Sequence, residues 1–466
     1  MLLRLIALVV AWAAVSLAAA TPAPSQPAVT VDYLRNNTAA AKVLENAVVF
    51  GYTYETGVGA NEIAWDTLTH LVIAFFDTDS AGSITTRSAS IPALVAAAKK
   101  ANVKVLASVG GDGVGSQSLA SALSTAKSRT NLAASLVSAV KTYKLDGVDY
   151  DYEFPDTADQ LTSLYEGLAA MRSALDAAFG KRGRLLTTTL YSTNGQFGPH
   201  VRAADVKPYA ALVDYGLLMS YDYFGGFSQN TGPNAPFNDI PGYPGLSFTS
   251  SIAAWVRAGW DPAKLVAGLP YYGRSMKVAA DMAKSGQFAP SAGGGTPGPV
   301  SQIQGAWTWF DLRDPEQGAL AAPAKAAHGW QRFWDSSTMT PWLFHNVSQT
   351  YIGYDDPDSL TTKTNHIINS GLAGAMVWMA QYDYQGELGA VLTTYRDTSR
   401  RLAEEALEAM SSSLSDESSS ESSATSHASE SDSGLDHRSS NAARRPGAPS
   451  TATLLAAAAI VLAMLV

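Results

Sequence analysis

Eight short apolar runs alternate with longer amphipathic stretches between residues 45 and 400. The runs have the length and apolar content of strands, whereas stretches such as 91–101 and 132–143 have a helical repeat. Strands that are apolar almost throughout indicate a parallel sheet covered on both faces. The runs span 47–52, 68–76, 103–111, 145–154, 184–192, 213–222, 264–273 and 371–380.

Eight such βα units in one domain are the number that a closed (β/α)8 barrel requires, so the predicted fold class is α/β with a TIM barrel. The length of 466 residues would allow two or three domains, but the even spacing of the runs favours one large domain over residues 45–400. A doubly wound open sheet is the structural alternative. In a barrel, the active site lies at the carboxyl ends of the strands.

The fourth run, LDGVDYDYEF at 145–154, carries acidic residues inside a strand pattern. Because side chains alternate along a strand, Asp149, Asp151 and Glu153 share one face at roughly 6 to 7 Å intervals and would point into the barrel mouth. Three partly buried carboxylates cannot all ionise freely, so at least one pKa should rise and a proton should be shared. A carboxylic acid that stays protonated near neutral pH can act as a general acid. Asp146 has the opposite parity and is interpreted as a structural residue.

A calcium site and a solvated acidic strand face are the alternatives to catalysis for this acidic row. Acids two residues apart can ligate calcium, but the segment lacks the glycine that an EF-hand loop needs at its turn. A solvated acidic face would be unusual in a central strand, because such a strand is covered on both faces.

Composition narrows the remaining classes of function. The net charge is −9 and no basic run lies inside the predicted domain, so a nucleic-acid partner is not expected. The chain has no cysteine, which excludes disulfides, thiolate metal sites and a thiol nucleophile. No metal and no cofactor are predicted.

Both ends of the chain carry the patterns of processing signals. Residues 1–20 combine one positive charge, an apolar run and a small-residue exit, which predicts a cleaved secretory signal followed by an N-terminal extension at 21–44. Residues 441–466 begin with small residues at Asn441 and continue through a polar spacer to an apolar tail, which is the layout of a glycosylphosphatidylinositol attachment signal. This tail is shorter than the roughly 20 residues that span a bilayer. A frayed hydrophobic terminus is the alternative.

A serine-rich stretch precedes the attachment signal. Residues 401–440 are predicted to form a disordered, O-glycosylated stalk because they cannot bury enough apolar surface, with a plain linker as the alternative. Sequons at Asn36 and Asn346 suit a secreted glycoprotein. We therefore expect a monomer at the cell surface, held by a lipid anchor at the plasma membrane or in the cell wall.

The segment DGVDYDYE fits the signature D-x-x-D-x-D-x-E, and with it the chain resembles glycoside hydrolase family 18, the chitinase family, in a fungal-type form. SVGG (108–111) resembles the family's motif at the end of strand three, and MSYDYFGG followed by TGPNAPF resembles the segment after strand six. GLPYYGR (268–274) and YDDPDSL (354–360) resemble the exit of strand seven and the segment before strand eight. Trp378 falls where the family has a Trp that closes the barrel. Tyr152 stands where many members have Trp, and is expected to alter packing rather than activity.

The resemblance implies a chitinase that cleaves β-1,4 bonds between N-acetylglucosamine units by substrate assistance. In that chemistry Glu153 protonates the glycosidic oxygen and later activates water, while the substrate's own N-acetyl oxygen attacks the anomeric carbon. Asp151 orients the acetamido group and stabilises the oxazolinium ion. Asp149 shares a proton or a hydrogen bond with Asp151, and Tyr221 holds the N-acetyl oxygen.

The resemblance also assigns substrate contacts. Trp378 should form the hydrophobic floor under the sugar, since a Trp face stacks on the apolar face of a sugar, although a place in the core is the alternative. For Ser108, Tyr52 and Met219 the alternative is packing, and for Arg274 it is a surface ion pair. The predicted substrate-binding residues are Tyr52, Phe75, Ser108, Met219, Asp222, Arg274 and Trp378.

About 100 residues separate the seventh and eighth runs, too many for one βα connection. A large subgroup of the family inserts a small α+β domain there, which corresponds to 276–349 in this chain. The segment contains half of the ten tryptophans, and a wall of aromatic side chains would deepen a groove for a sugar polymer. A small domain also needs Trp for its own core, so not all of them can be ligands: Trp307, Trp309, Trp330, Trp334 and Trp342.

Other functions occur within the same family. Some members are endo-β-N-acetylglucosaminidases that cut N-glycan cores, and others are catalytically inactive, lectin-like chitin-binding proteins. Glu153 argues against the lectin and the long insertion argues against the N-glycan enzyme, while a surface structural protein is a third alternative. No recognisable chitin-binding module accompanies the domain, so strong action on crystalline chitin is not expected. The expected partner is chitin or chito-oligosaccharides.

Overall fold

The computed structural model describes residues 34–424, apart from 57–58, 87 and 280. The predicted signal peptide, the first part of the N-terminal extension, the end of the stalk and the attachment signal with Asn441 lie outside the described residues. Within the described part of the chain, no helix is both long and apolar enough to cross a membrane.

Seven strands alternate with helices in the first part of the barrel. Most of these strands are buried along nearly their whole length, as their apolar sequences predict. The strands are β1 (Val48–Tyr54), β2 (His70–Ala74), β3 (Lys104–Gly111), β4 (Gly147–Tyr152), β5 (Leu185–Leu190), β6 (Tyr215–Leu218) and β7 (Leu265–Pro270). The helices are α1 (Thr38–Glu45), α2 (Ile91–Lys100), α3 (Val114–Leu123), α4 (Ala126–Tyr143), α5 (Ala158–Phe179), α6 (Lys207–Leu212) and α7 (Phe248–Ala258).

A mainly antiparallel insertion follows β7. Its main sheet has the strand order β10-β8-β15-β14-β13, with β9 paired to β8, and β11 and β12 form a separate pair. The strands are β8 (Tyr272–Val278), β9 (Ser291–Gly294), β10 (Ala306–Thr308), β11 (Leu320–Ala322), β12 (Lys325–Ala326), β13 (Trp330–Asp335), β14 (Thr340–His345) and β15 (Thr350–Gly353). The helices α8 (Met282–Ser285) and α9 (Trp309–Arg313) complete it.

The chain then returns to the barrel through α10 (Pro357–Asn369), β16 (Gly374–Trp378) and α11 (Gly389–Ala424). The closed barrel has the order β1-β16-β7-β6-β5-β4-β3-β2, and every neighbouring pair is parallel. The predicted (β/α)8 barrel is therefore confirmed, and the open-sheet alternative is wrong because β1 pairs with both β2 and β16.

Local sequence explains where several helices begin. The Thr157 side chain accepts a hydrogen bond from the Gln160 backbone N–H at the start of α5, a capping arrangement that satisfies an otherwise free donor. Asp356 does the same for α10, where Pro357 occupies the first helical position. These capping signals define where α5 and α10 begin, and the parallel pairing of the barrel strands brings their carboxyl ends to one rim.

The insertion is larger than the sequence predicted. The seventh run, taken as one strand over 264–273, breaks in two: β7 ends at Pro270 and β8 begins at Tyr272. The Tyr271 N–H donates to the Trp378 carbonyl at 2.8 Å, so the chain is still bonded to the barrel where it turns away. The predicted limits 276–349 are therefore corrected outward, since the inserted sheet runs from Tyr272 to Gly353.

The predicted barrel domain, residues 45–400, is also too short at both ends. The compact unit that contains the barrel ends at Ser411. Leu34 and Leu44 are buried in the main core, although they precede residue 45 or border it. Ala403 and Ala406 in α11 are fully buried in the same core, whereas the sequence predicted a disordered stalk from residue 401 onward. Residues 401–424 belong to helix α11 instead, and its first part packs on the core because Ala403 and Ala406 are small apolar residues at helical spacing.

The tryptophans of the insertion divide between core and surface. Trp307, Trp309 and Trp342 are buried, so these three cannot form a wall of sugar-binding rings. Trp330 is half-buried and packs edge-on against Trp307, with the ring centroids 5.3 Å apart. Trp334 is the most exposed of the five, at 37%.

Candidate active site

The acidic row lies at the carboxyl end of β4, as the alternation of its side chains predicts. Asp149 and Asp151 are buried, and Glu153, just beyond the strand, is half-buried. The alternative of a solvated acidic face is therefore wrong. Among the residues that the structure describes, no group of three or more His, Cys, Asp or Glu side chains is arranged to hold a metal ion.

Asp149 is the deepest acid of the row, and three hydroxyl groups donate to it. The Tyr52 and Ser108 hydroxyls reach Oδ2 at 2.8 and 2.7 Å, and the Thr187 hydroxyl reaches Oδ1 at 2.6 Å. These residues come from β1, β3 and β5, on both sides of β4. Tyr52 and Ser108 thus contact the row as predicted, and Thr187 is a third contact that the sequence analysis missed.

Asp151 has a different environment from Asp149. Burial, and then the charges of Glu153 and Asp149, hold the pKa of Asp151 well above its usual range. Its Oδ1 atom is buried without a hydrogen-bond partner in the described part of the chain. Asp151 is therefore protonated more readily than an ordinary aspartate, and it keeps an oxygen available for another group.

Glu153 stands closest to solvent in the row. Burial raises the pKa of Glu153 to about 7, helped by the negative charges of Asp112 and Asp222 and opposed by the positive charge of Arg274. Its backbone N–H donates to the Ser116 hydroxyl at 2.6 Å, which ties it to helix α3. A carboxyl group with this pKa exchanges protons near neutral pH, as a general acid and base must.

Tyr221 and Met219 follow β6 and are buried in one apolar cluster on the barrel axis. The Tyr221 hydroxyl lies 3.8 Å from the Met376 sulfur. Burial, then the charges of Asp151 and Glu153, hold the pKa of Tyr221 well above its usual range, so this phenol remains a hydrogen-bond donor. Tyr221 thus lies near the acids as predicted, whereas Met219 contributes apolar packing.

Asp222 and Arg274 form an ion pair within the cleft. Arg274 donates to both oxygens of Asp222, from Nε at 2.7 Å and from the terminal nitrogen at 2.5 Å. The Tyr272 hydroxyl adds a third bond to Asp222 at 2.7 Å. Of the two predictions for Arg274, the structure therefore favours an ion pair, and it holds Asp222 in place beside Glu153.

Trp378 ends β16 and is half-buried at the centre of an aromatic group. Its ring centroid lies 5.3 Å from that of Tyr52 and 6.0 Å from that of Phe75, whose ring is nearly parallel. Tyr54 meets it edge-on at 6.3 Å. Trp378 is thus neither fully core nor fully exposed, and a flat apolar ring beside the acids suits the apolar face of a sugar.

Four residues of the site were missed: Asp112, Ser116, Thr187 and Tyr272. Thr187 carries a usable signal, because it pairs directly with Asp149 in the β4–β5 register and so shares its inward parity. Asp112 lies in the turn after β3 and Ser116 lies in the following helix. In such segments the sequence alone does not show which way a side chain points. Asp146, interpreted as structural, accepts a hydrogen bond from the Val105 N–H at 2.9 Å and joins β4 to β3.

Comparison with known proteins agrees with this geometry. The profile described as Glycosyl hydrolases family 18 matches residues 48–383. A chitinase-like effector of Moniliophthora roreri is 29% identical over 70% of this chain and 86% of its own. Chitinase A1 of Niallia circulans is 31% identical over 63% of this chain, but the match spans only 43% of that longer protein.

Solved structures with the same barrel include chitinases. The crystal structure of a Rhizomucor miehei chitinase is 25% identical, with a TM-score of 0.67 over 75% of this chain and all of that one. A family 18 chitinase from Cycas revoluta, solved with (GlcNAc)3, has the same fold at 23% identity and a TM-score of 0.65, over 75% of this chain and 99% of its own.

The barrel, the row of acids at its mouth and the inserted sheet define a chitinase-like glycoside hydrolase. Because the family profile covers most of the chain, the protein belongs to glycoside hydrolase family 18.

Proposed function

We propose that the protein is a chitinase that hydrolyses β-1,4 bonds between N-acetylglucosamine units with retention of the β-anomer. The observation that carries this proposal is the acidic row, because its three members have different environments. Asp149 is fully hydrogen-bonded, Asp151 keeps a free oxygen and Glu153 has a pKa of about 7. The chitinases among its relatives support the substrate class.

In the proposed mechanism Glu153 first acts as an acid. Its proton passes to the glycosidic oxygen, and the bond from that oxygen to the anomeric carbon breaks. The substrate's N-acetyl oxygen forms the new bond to the anomeric carbon, giving an oxazolinium ion, so no enzyme carboxylate attacks the sugar. Glu153 then removes a proton from water, and the water oxygen attacks the anomeric carbon from the face opposite the acetyl oxygen. The bond between the anomeric carbon and the acetyl oxygen breaks, which opens the oxazolinium ring and restores the β-configuration.

The neighbouring residues stabilise the intermediate. The unpartnered Oδ1 of Asp151 can accept the acetamido N–H, which orients the acetyl oxygen and balances the positive charge on the ring. Asp149 receives the proton relayed within the row, and Tyr221 donates its hydroxyl hydrogen to the acetyl oxygen. Trp378 supports the sugar from below through its apolar face.

The decisive experiment removes the acid. Glu153→Gln should keep the fold and bind chito-oligosaccharides but lose nearly all hydrolysis, because an amide cannot deliver the proton. Glu316→Gln, at an exposed site in the insertion, is the matched control and should remain active. Retention of a tenth of the wild-type turnover by Glu153→Gln would show that another group is the acid.

A second experiment tests substrate assistance. Fully deacetylated chitosan lacks the attacking acetyl oxygen and should not be cut, whereas chitin oligomers should yield the β-anomer as the first product by NMR. Appearance of the α-anomer first would exclude the retaining mechanism.

A non-hydrolytic chitin-binding protein is the second candidate function, because one relative is described as a chitinase-like effector. The two functions differ in one measurement. If the wild-type protein binds chitin oligomers but gives no products over a long incubation, the binding function replaces the enzymatic one.

For location we propose secretion, N-glycosylation and a lipid anchor attached at Asn441. Asn346 lies exposed in the hairpin between β14 and β15, and Asn36 lies exposed before α1, so both sequons are accessible to glycosylation. Phosphatidylinositol-specific phospholipase C should release the protein from cells. Mature surface protein that still contained residues 454–466 by mass spectrometry would contradict the anchor.

A further inference from the structure

The turn after β3 carries an acid that the proposed mechanism does not use. Asp112 follows Gly111 directly, and it is exposed at the rim of the cleft. Its side chain makes no hydrogen bond or ion pair with the residues from 34 to 424 that the structure describes. An unpaired carboxylate at this position is therefore free to contact a bound ligand.

The backbone holds Asp112 beside Glu153. Strands β3 and β4 pair Gly110 with Asp151 and Gly111 with Tyr152, so Asp112 and Glu153 are the first residues beyond the last paired positions. The backbone at the start of the turn packs directly against the backbone of β4. A Cβ atom on Gly110 would lie only 1.9 Å from the Asp151 carbonyl oxygen. This close approach leaves little freedom in the position of the turn.

Ser116, four residues after Asp112, fixes the same turn from its other end. Its hydroxyl accepts the Glu153 N–H at 2.6 Å. The charge of Asp112 also makes the largest electrostatic contribution, after burial, to the raised pKa of Glu153. Backbone register, tight packing and electrostatics thus agree that Asp112 faces the acid.

Among the residues that the structure describes, no cation forms an ion pair with Asp112. Arg274 is the cation that acts on Glu153, and its Nε and one terminal nitrogen already donate to Asp222. A substrate made only of N-acetylglucosamine carries no charge and cannot balance Asp112. A sugar with a free amine carries an ammonium group, which can.

The arrangement of the strands indicates which sugar lies next to Asp112. Tyr221 follows β6 and, with Asp151, forms the proposed acetamido pocket on one side of Glu153, whereas β3 flanks β4 on the opposite side. Glu153 must reach the oxygen that joins the two sugars. Asp112 therefore lies on the side of the leaving sugar, away from the acetamido pocket.

We propose that Asp112 selects a glucosamine unit as the leaving sugar, so that the preferred substrate is partly deacetylated chitin cut between an N-acetylglucosamine and a glucosamine. This inference rests on the proposed function and extends it to a substrate class. The sugar that is attacked must keep its acetyl group, and only its neighbour on the leaving side carries the amine.

The test compares two tetrasaccharides in mildly acidic buffer, where the amine is protonated. One contains four N-acetylglucosamine units, and the other has glucosamine as the third unit from the non-reducing end. The ratio of kcat/KM for cleavage of the central bond, glucosamine-containing over fully acetylated, is measured by mass spectrometry of the products. Because both substrates use the same acid, any change in the strength of Glu153 cancels in this ratio.

Asp112→Asn should lower the ratio about two- to fivefold, the range of an exposed ion pair. Asp159→Asn, an exposed acid in the first turn of α5, is the matched control and should leave the ratio unchanged. High salt should lower the wild-type ratio toward that of Asp112→Asn, because it screens an exposed pair. An unchanged ratio in Asp112→Asn overturns the assignment.

Failure of the proposed function is distinguishable from failure of this inference. If the wild-type protein cuts neither tetrasaccharide, the chitinase proposal fails. Calorimetric binding of the same two compounds to Glu153→Gln, with and without Asp112→Asn, then decides the inference. Asp112 is the selecting residue if its replacement removes the tighter binding of the glucosamine compound, and it is not if both compounds bind in the same proportion as before.

Discussion

Asp149 and Asp151 are two residues apart on one strand, yet they have opposite hydrogen-bonding environments. Three hydroxyl donors favour the ionised form of Asp149, because a carboxylate accepts hydrogen bonds and a carboxylic acid must also donate one. Asp151 lacks such support at Oδ1, and its pKa is held well above the usual range. Burial raises the pKa of Asp149 as well, but its three donors oppose that rise, which favours the shared proton on Asp151.

This distribution predicts a role for Thr187 as a positioning residue. Thr187→Val removes the donor to Oδ1 of Asp149 with almost no change of shape, so the pKa of Asp149 should rise and the shared proton should move toward it. We expect kcat to fall about tenfold, which corresponds to roughly 1.4 kcal/mol and lies within the roughly 1 to 3 kcal/mol that a lost buried hydrogen-bond partner costs. The measurement is steady-state kinetics on chitotetraose, together with the melting temperature.

Thr188→Val is the matched control for Thr187. Thr188 is the next residue of the same strand and is also buried, but its hydroxyl donates to the Tyr150 carbonyl at 3.1 Å, on the face away from the acids. This variant should lose stability but keep kcat. Equal losses of kcat in both variants would mean that the Thr187 effect is merely structural.

The pKa of Glu153 predicts how activity depends on pH. Only protonated Glu153 can act as the acid, so kcat/KM should fall as the pH rises through about 7. Asp112→Asn removes one of the negative charges that raise this pKa, and the alkaline limb of the profile should move to lower pH. A limb that stays in place would show that a different group controls it.

The same shift predicts how stability depends on pH. The pKa of Glu153 is raised from 4.5 to about 7 on folding, so its contribution is present below pH 4.5 and is lost as the pH rises toward 7. Glu153→Gln stays neutral and should not show this loss. Urea unfolding of both proteins at pH 4.5 and pH 8 should therefore show the variant gaining stability relative to the wild type at the higher pH.

At the scale of elements, α10 joins the insertion to the barrel through two adjacent acids. Asp355 accepts from Lys363 at 2.5 Å, and both side chains are fully buried. Asp356 caps the start of α10 and accepts from Arg332 of β13 at 2.6 Å. The helix thus contacts the inserted sheet at its start, and Lys363 further along the helix forms a buried ion pair.

The buried pair predicts a large cost when one partner alone is removed. Lys363→Met leaves Asp355 charged and unpaired in the core, which should cost about 3 to 5 kcal/mol of unfolding free energy. Lys325→Met, at an exposed site in β12, is the control and should change stability little. Urea unfolding measures both variants.

The double variant Asp355→Leu with Lys363→Met completes the test. It removes both charges and should recover most of the stability that Lys363→Met loses, because no unpaired charge remains. If the double variant is no more stable than Lys363→Met, the loss comes from altered packing and not from the unpaired buried charge of Asp355.

At the scale of the whole molecule, the ends of the described chain take part in the barrel core. Leu34 and Ala41 at the N-terminal end are buried in it, as are Ala403 and Ala406 of α11. The Thr38 hydroxyl lies 4.0 Å from the Met410 sulfur, so α1 and α11 are neighbours. The barrel therefore depends on segments that lie outside the family profile at 48–383.

This dependence predicts where the chain can be shortened. A protein ending at residue 411 should unfold at nearly the wild-type temperature, whereas one ending at residue 400 should melt several degrees lower, because it lacks two buried residues of α11. Differential scanning calorimetry of both proteins measures the effect. Equal melting temperatures would show that the last turns of the compact unit add no stability.

Features that depend on local geometry could be predicted from the sequence. The alternation of side chains along β4 placed Asp149, Asp151 and Glu153 on one face, and the count of βα units predicted the barrel. Both follow from periods of a few residues, which a single chain displays directly. The motifs around Tyr221 and Trp378 likewise predicted residues that the structure brings to the same mouth.

Tertiary structure alone decided what joins distant parts of the chain. The hydrogen bond from Thr187 to Asp149 and the electrostatic effect of Asp112 on Glu153 depend on strand register and on the path of a turn, which residues dozens of positions apart determine together. Burial of Ala403 and the core positions of Trp307 and Trp309 depend on which neighbouring element covers each side chain. Such neighbours are defined only once the barrel has closed, because packing in three dimensions, and not the local pattern, sets them.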